Sequence, residues 1–147
     1  MRRSKPLILA LLMLAACTNR VGLEGDIGDL LDNCGVQASI EQVQMSDRSR
    51  TGIVVVAIDD AGINALVECL NLQPGGQENA MIAVALDEGR QEFEHDYIKN
   101  IGGLNLYISK RRPVELTLES GTAFEYLLLY HNAAEGKAVI QVSYAYG

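Results

Sequence analysis

The last third of the chain carries the pattern that most restricts the fold. Four segments there have the character of β-strands, and in the first two the apolar and polar residues alternate strictly. Their ranges are 104–109, 114–119, 124–131 and 138–146. Because only short polar connections separate them, we predict a C-terminal four-strand antiparallel meander.

Residues before this region mix helical and strand patterns. Apolar positions between Leu23 and Cys34 recur at helical spacing, and Gly35 is a suitable stop. A second helix is predicted around residues 63–70, with Asp59 or Asp60 as the N-cap and Pro74-Gly75-Gly76 as its end.

Three further segments contribute strands to the prediction. Residues 36–45 alternate in part, and the apolar runs Ile53–Ile58 and Ala80–Leu86 are typical of buried strands. Residues 87–100 are ambiguous, although apolar residues four apart favour a helix there. The expected fold is therefore α+β, mainly an antiparallel sheet or sandwich with the meander and one or two short helices.

The amino terminus has the form of a secretory signal. Arg2, Arg3 and Lys5 precede the apolar run Leu7–Ala16, which is too short to span a bilayer as a helix. The run ends in Leu14-Ala15-Ala16-Cys17, which resembles the lipobox of bacterial lipoproteins. The resemblance covers the leader alone. It implies cleavage before Cys17, a diacylglyceryl group on the Cys17 thiol and acylation of the new amino terminus.

This resemblance predicts the domain organisation and the location. Residues 1–16 would be the signal peptide, 17–22 a short lipidated linker, and 23–147 a single periplasmic domain. Six extended residues reach about 20 Å, so the domain would lie against its membrane. Thr18 stands where an Asp would imply retention in the inner membrane, so the resemblance implies the outer membrane, facing the periplasm. Several acyl chains would make the attachment to the lipid bilayer stable.

Besides the lipidated Cys17, the predicted mature chain contains two cysteines, Cys34 and Cys69. In an oxidising compartment an even pair favours a disulfide, with two buried free thiols as the alternative. No C-x-x-C motif is present, so neither a zinc ribbon nor a redox catalyst is indicated.

Charge argues against several classes of partner. Without the leader's three basic residues, 9 basic residues face 19 acidic ones, a net charge of −10. Nucleic acids and anionic membranes are bound by clustered Lys and Arg. The composition therefore disfavours a nucleic-acid partner, and it disfavours binding to an anionic membrane through a polybasic segment.

Possible binding residues lie near the carboxyl terminus. If residues two apart share a face, Tyr126 and Tyr130 would join Phe124 in one stripe, and Tyr144 and Tyr146 would form another. Such stripes either pack in the core or form an aromatic binding patch. Lys110, Arg111 and Arg112 form the longest basic run of the mature chain, which is either a solvated turn or a contact for an acidic partner or lipid head group.

Catalytic motifs are lacking, and no cofactor is indicated. The acidic cluster around His95, which contains Glu92, Glu94 and Asp96, has no second histidine at metal-site spacing. His131 has no nucleophile motif beside it. We therefore predict no catalytic residues and no metal.

The expected function is a membrane-anchored, non-catalytic module that binds an envelope protein or serves in assembly. The alternatives are a small periplasmic hydrolase and a carrier of hydrophobic ligands.

Overall fold

The computed structural model describes the backbone of residues 18–145 and the side chains of residues 22–145. Within these residues the chain forms four helices and six strands. In chain order they are α1 (Thr18–Asn33), β1 (Ser39–Met45), β2 (Thr51–Ala57), α2 (Asp60–Cys69), β3 (Leu72–Gly75), α3 (Ala80–Glu92), α4 (Asp96–Lys99), β4 (Asn105–Ser109), β5 (Phe124–Asn132) and β6 (Lys137–Tyr144).

The strands form one antiparallel sheet in the order β1-β2-β6-β5-β4-β3. The predicted α+β class is confirmed. β4, β5 and β6 follow one another both in sequence and in the sheet, as a meander requires. The β1–β2 hairpin joins this meander through β6, and β3 extends it beyond β4.

Helices cover both faces of the sheet, and each face has its own core. α1 and α2 pack on one face, over residues such as Val54 and Val56. α3 and α4 pack on the other, over residues such as Ile53 and Val55. The strand β2 is therefore buried on both faces, which explains why its apolar run is continuous rather than alternating.

The two predicted N-terminal helices are present. α1 begins at Thr18, so residues 18–22, which we predicted as an extended linker, belong to the helix. Asp59 is the N-cap of α2, and its carboxylate accepts a 2.7 Å hydrogen bond from the backbone N–H of Gly62. The Pro74-Gly75 pair lies in the edge strand β3, after the helix has ended at Cys69.

The prediction of a strand at Ala80–Leu86 is wrong, because this run forms the first half of α3. Asn79 caps the helix, and its side-chain oxygen accepts hydrogen bonds from the N–H groups of Met81 and Ile82. The ambiguous segment that follows completes α3, and after a short break it forms α4.

The segment 114–119 is not a strand, so the C-terminal meander has three strands rather than four. Val114 and Leu118 are buried against the α1 face, which accounts for the alternating pattern. β4 pairs with β5 only over residues 128–131, and beside the first residue of β5 the Val114 N–H donates a 2.8 Å hydrogen bond to the Phe124 carbonyl. The Leu116 N–H then turns back to the Val114 carbonyl at 2.9 Å, so the segment leaves the sheet after this one contact and continues as an irregular connection.

The predicted cysteine pair lies at disulfide bonding distance. The Sγ atoms of Cys34 and Cys69 are 2.11 Å apart, and their Cα atoms are 5.6 Å apart. The pair joins the residue after the end of α1 to the last residue of α2, and so ties together the two helices on the same face of the sheet.

Candidate functional site

A charged cleft at one end of the sheet brings together residues that are distant in sequence. It has a volume of about 620 Å³, within the range of roughly 300–1,000 Å³ that is common for small-molecule sites. It lies where the β1–β2 turn, the α3 helix and the ends of β5 and β6 meet. Its lining residues are Asp47, Arg48, Ser49, Arg50, Thr51, Val84, Glu88, Arg112, Glu125, Tyr126, Ser143 and Tyr144.

Three of the predicted binding residues, Arg112, Tyr126 and Tyr144, line this cleft. The guanidinium of Arg112 lies over the Tyr126 ring, 5.3 Å from its centroid, in a cation–π contact. The neighbouring Arg111 is paired with Glu115 instead and lines a separate, smaller depression, and Lys110 is exposed outside the cleft. Of the basic run formed by Lys110, Arg111 and Arg112, only Arg112 therefore lines the cleft.

Two arginines of the cleft, Arg48 and Arg50, were not identified from the sequence. They lie in the β1–β2 turn, where a polar stretch predicts a solvated connection and nothing more. The Arg50 guanidinium donates to the backbone oxygen of Ala145, which attaches the turn to the residue following β6. The pairing of β2 with β6 brings these arginines towards Arg112.

The cleft has a charge balance that differs from the rest of the chain. Its three arginines face three carboxylates, Asp47, Glu88 and Glu125. The rest of the predicted mature chain has 6 basic and 16 acidic residues. Among the described residues, neither Arg48 nor Arg112 forms an ion pair. The cleft is thus a mixed-charge surface on a strongly acidic domain.

Below the cleft, a buried polar network fixes the Tyr126 side chain. The phenol of Tyr126 donates to Glu88 and accepts a 3.0 Å hydrogen bond from the Gln141 amide, which also donates to the Ala85 carbonyl at 2.7 Å. The phenol of Tyr130 donates to the other end of the same amide. Burial raises the pKa of Tyr126 and of Tyr130, and the Glu88 carboxylate raises that of Tyr126 further.

The tyrosine stripes differ from the predicted arrangement. A β-bulge at Glu125 shifts the alternation, so Phe124 lies on the α1 face while Tyr126 and Tyr130 lie on the α3 face. Both of these tyrosines are at least 98% buried, which places their rings in the core. Tyr144, half-buried on the α1 face, packs edge to face on Phe124. Tyr146 lies outside the described residues, as does Cys17.

On the α1 side, Tyr144 belongs to a cluster of hydroxyl groups around Asp26. The buried carboxylate of Asp26 accepts hydrogen bonds of 2.7 Å from both Tyr144 and Ser120, and one of 3.2 Å from Thr122. These contacts attach the 114–123 connection to α1. Burial and the Asp26 carboxylate raise the pKa of Tyr144.

The acidic cluster near His95 does not converge on one point. His95 is the N-cap of α4, where its Nδ1 accepts a hydrogen bond from the Tyr97 N–H, and Glu92 instead accepts one from Ser46. In residues 18–145 no three His, Cys, Asp or Glu side chains are grouped as metal ligands. His131 is buried, with its Nε2 3.5 Å from the Asp60 carboxylate at the start of α2.

A second surface with binding capacity is the free edge of the sheet at β1. This seven-residue strand pairs with β2 on one side, and no described strand lies on its other side. β3, at the opposite edge, has four residues and includes Pro74, which has no backbone N–H. β1 therefore presents the longer row of unpaired backbone groups.

Comparison with known proteins gives no relative, since no family model, no curated protein and no solved structure matches the chain. Among the helices of residues 18–145, none is both long enough and apolar enough to cross a membrane.

Proposed function

We propose that the protein is an envelope lipoprotein, anchored through an acylated Cys17, that holds a protein partner at the membrane without catalysing a reaction. The lipobox-like leader supports the anchor. α1 begins at Thr18, the residue after Cys17, and its Leu23 is fully buried. Five helical residues advance by about 7.5 Å, so the folded domain would be held close to the lipid.

The free edge at β1 is the observation that carries the partner-binding part of the proposal. An extended segment of a second protein can add a strand to such an edge, with affinity from main-chain hydrogen bonds and specificity from side-chain pockets. A groove of about 690 Å³ runs between α1 and the beginning of β1. It is lined by Glu24, Gly28, Leu31, Asp32, Val36, Gln37, Ala38, Ser39 and Ile40.

The lining of the groove indicates the chemistry of the partner. Its two ionised side chains, Glu24 and Asp32, are both acidic, and Leu31, Val36 and Ile40 supply apolar surface. A complementary segment would be extended and would carry basic and apolar side chains at alternate positions.

Site-specific cross-linking in intact envelopes tests this proposal. A photo-reactive residue at Gln42, exposed on β1, is compared with one at Asn64, exposed on α2. We expect Gln42 to cross-link a single protein through one extended segment, mapped by mass spectrometry, and Asn64 to give none. Equal cross-linking from both positions, or none from Gln42, would contradict a partner at the β1 edge.

A further inference from the structure

The charged cleft and the start of α1 lie at the same end of the sheet. Leu23, near the beginning of α1, packs over Gly52 and beside Met45, the residues that flank the β1–β2 turn. That turn carries Arg48 and Arg50 of the cleft. Because α1 begins five residues before Leu23, the anchor proposed at Cys17 belongs to the end of the domain that carries the cleft.

The lining of the cleft suits a ligand that carries both charges. Guanidinium groups bind phosphate through paired hydrogen bonds, and carboxylates accept hydrogen bonds from a primary ammonium. At the cleft, Val84 is 55% exposed, and it is the one large apolar side chain that is exposed in the described part of the chain. An apolar contact beside a mixed-charge cleft is the chemistry found where lipid head groups meet acyl chains.

We propose that the cleft binds the head group of a phospholipid that joins a phosphodiester to a primary ammonium. The domain would then dock, cleft first, on the membrane that holds its lipid anchor. Arg48, Arg50 and Arg112 would bind the phosphate, and the carboxylates of the cleft would accept hydrogen bonds from the ammonium. This inference rests on the proposed anchor at Cys17. The β1 edge runs away from this end, so a docked domain keeps its partner surface accessible.

Orientation also follows from the charge distribution. A mature chain with a net charge of −10 is repelled by a negatively charged surface in most orientations. Within the cleft, three arginines offset three carboxylates, so the formal charges of its lining cancel. A short tether at this end would bring this lining, rather than a predominantly acidic surface, to the membrane.

Tryptophan fluorescence can test this docking, because the chain contains no tryptophan. Val84→Trp places a reporter at the cleft, and Ala134→Trp places one on the exposed β5–β6 turn at the opposite end of the sheet. The lipidated protein is reconstituted in vesicles of phosphatidylethanolamine and phosphatidylglycerol that contain a lipid with a nitroxide on its head group. We expect quenching of the reporter at position 84 and none at position 134.

Two changes should abolish the quenching at position 84. One is Arg48→Gln combined with Arg112→Gln, for which Arg111→Gln, outside the cleft, is the matched control. The other is replacement of phosphatidylethanolamine by phosphatidylcholine, whose quaternary ammonium has no N–H. If the protein fails to float with the vesicles, the anchor proposal is overturned and this inference with it. Flotation with equal quenching at both positions, or quenching that survives both changes, would overturn the head-group assignment alone.

Discussion

The Leu23 side chain of α1 lies directly over Gly52 at the beginning of β2. A Cβ atom at position 52 would be 2.5 Å from Leu23 Cδ2 and 3.2 Å from the sulfur of Met45. Leu23 is fully buried, so its methyl groups have little room to move away. The absence of a side chain at Gly52 therefore allows the first turns of α1 to approach the sheet at the end that carries the cleft.

Gly52→Ala should destabilise the protein by about 1–3 kcal/mol, the usual cost of overpacking a core. Urea unfolding measures the change. Gly25→Ala is the matched control, since Gly25 is an exposed residue of α1 and a Cβ atom there would extend into open space. That change should increase stability by roughly 0.5–1 kcal/mol through helix propensity. A Gly52→Ala protein as stable as the wild type would contradict the close approach.

Asp26→Asn should weaken the attachment of the 114–123 connection to α1. The substitution keeps the shape of the side chain but places an NH₂ donor where hydroxyl groups now donate to a carboxylate oxygen. We expect a loss of about 1–3 kcal/mol in unfolding free energy and faster amide exchange in the connection. Glu24→Gln, at an exposed position of the same helix, should change neither. Unaltered exchange in the Asp26 variant would show that the cluster does not hold the connection.

The paired change Cys34→Ser and Cys69→Ser should destabilise the domain substantially. The bond closes a loop with a sequence separation of 35, worth about 4 kcal/mol on the chain-entropy model. Denaturant unfolding of the wild type with and without reductant should show the same difference as the double variant. If alkylation finds two free thiols in protein isolated from an oxidising envelope, the bond does not form in the cell.

Stability should fall at alkaline pH because four tyrosines ionise less readily in the folded state. Burial, followed by the Glu135 carboxylate, raises the pKa of Tyr97 to about 12, from 10.0. The pKa values of Tyr126, Tyr130 and Tyr144 are raised further. Below pH 10 both states keep these protons and no stability is lost. From pH 10 to about 12 the unfolded state alone loses the Tyr97 proton, so unfolding becomes more favourable as pH rises.

The measurement is tyrosinate absorbance against pH for native protein and for protein in denaturant, together with unfolding curves across the same range. Tyr97→Phe should reduce the dependence of stability on pH between 10 and 12. Native and denatured titration curves that coincide would contradict the raised pKa values.

Cys17→Ser should release the protein from membranes, either as a soluble periplasmic form or as an uncleaved precursor. The reason is that the acylated thiol supplies the proposed attachment. Membrane fractionation and incorporation of labelled fatty acid report the change. Unchanged fractionation and labelling would show that the lipobox interpretation is wrong.

Periodicity alone was sufficient to predict the secondary structure of segments whose pattern of apolar residues fits a single type of element. The apolar residues of α1 and α2 recur at helical spacing over at least two turns, and Asp59 supplies the cap for the second. The run in β2 is β-branched and too short for most helices. The short run 80–86 fits both a buried strand and a buried helix, and the Asn79 cap and the continuation to Glu92 decide for the helix.

The composition of the cleft could be predicted only in part. Arg112, Tyr126 and Tyr144 were identified as members of a basic run and of tyrosine-rich strands, without any indication that they meet. The sequence around Arg48 and Arg50 predicts only a polar turn and does not indicate that these residues line a cleft. The alternation of apolar residues likewise does not predict the bulge at Glu125, which places Phe124 and Tyr126 on opposite faces of the sheet.

Amino-acid order alone was enough to predict the α+β class, the two disulfide partners and most of the regular elements, because these depend on local spacing and residue chemistry. The tertiary structure determined which strands became neighbours. The pairing of β2 with β6 carries the β1–β2 turn to the end of the meander. Residues 114–119 pack Val114 and Leu118 against the α1 face, and only the Val114 N–H bonds to the backbone of β5. Both outcomes depend on contacts between residues far apart in the chain, and a local sequence pattern does not specify which strand will pair with which.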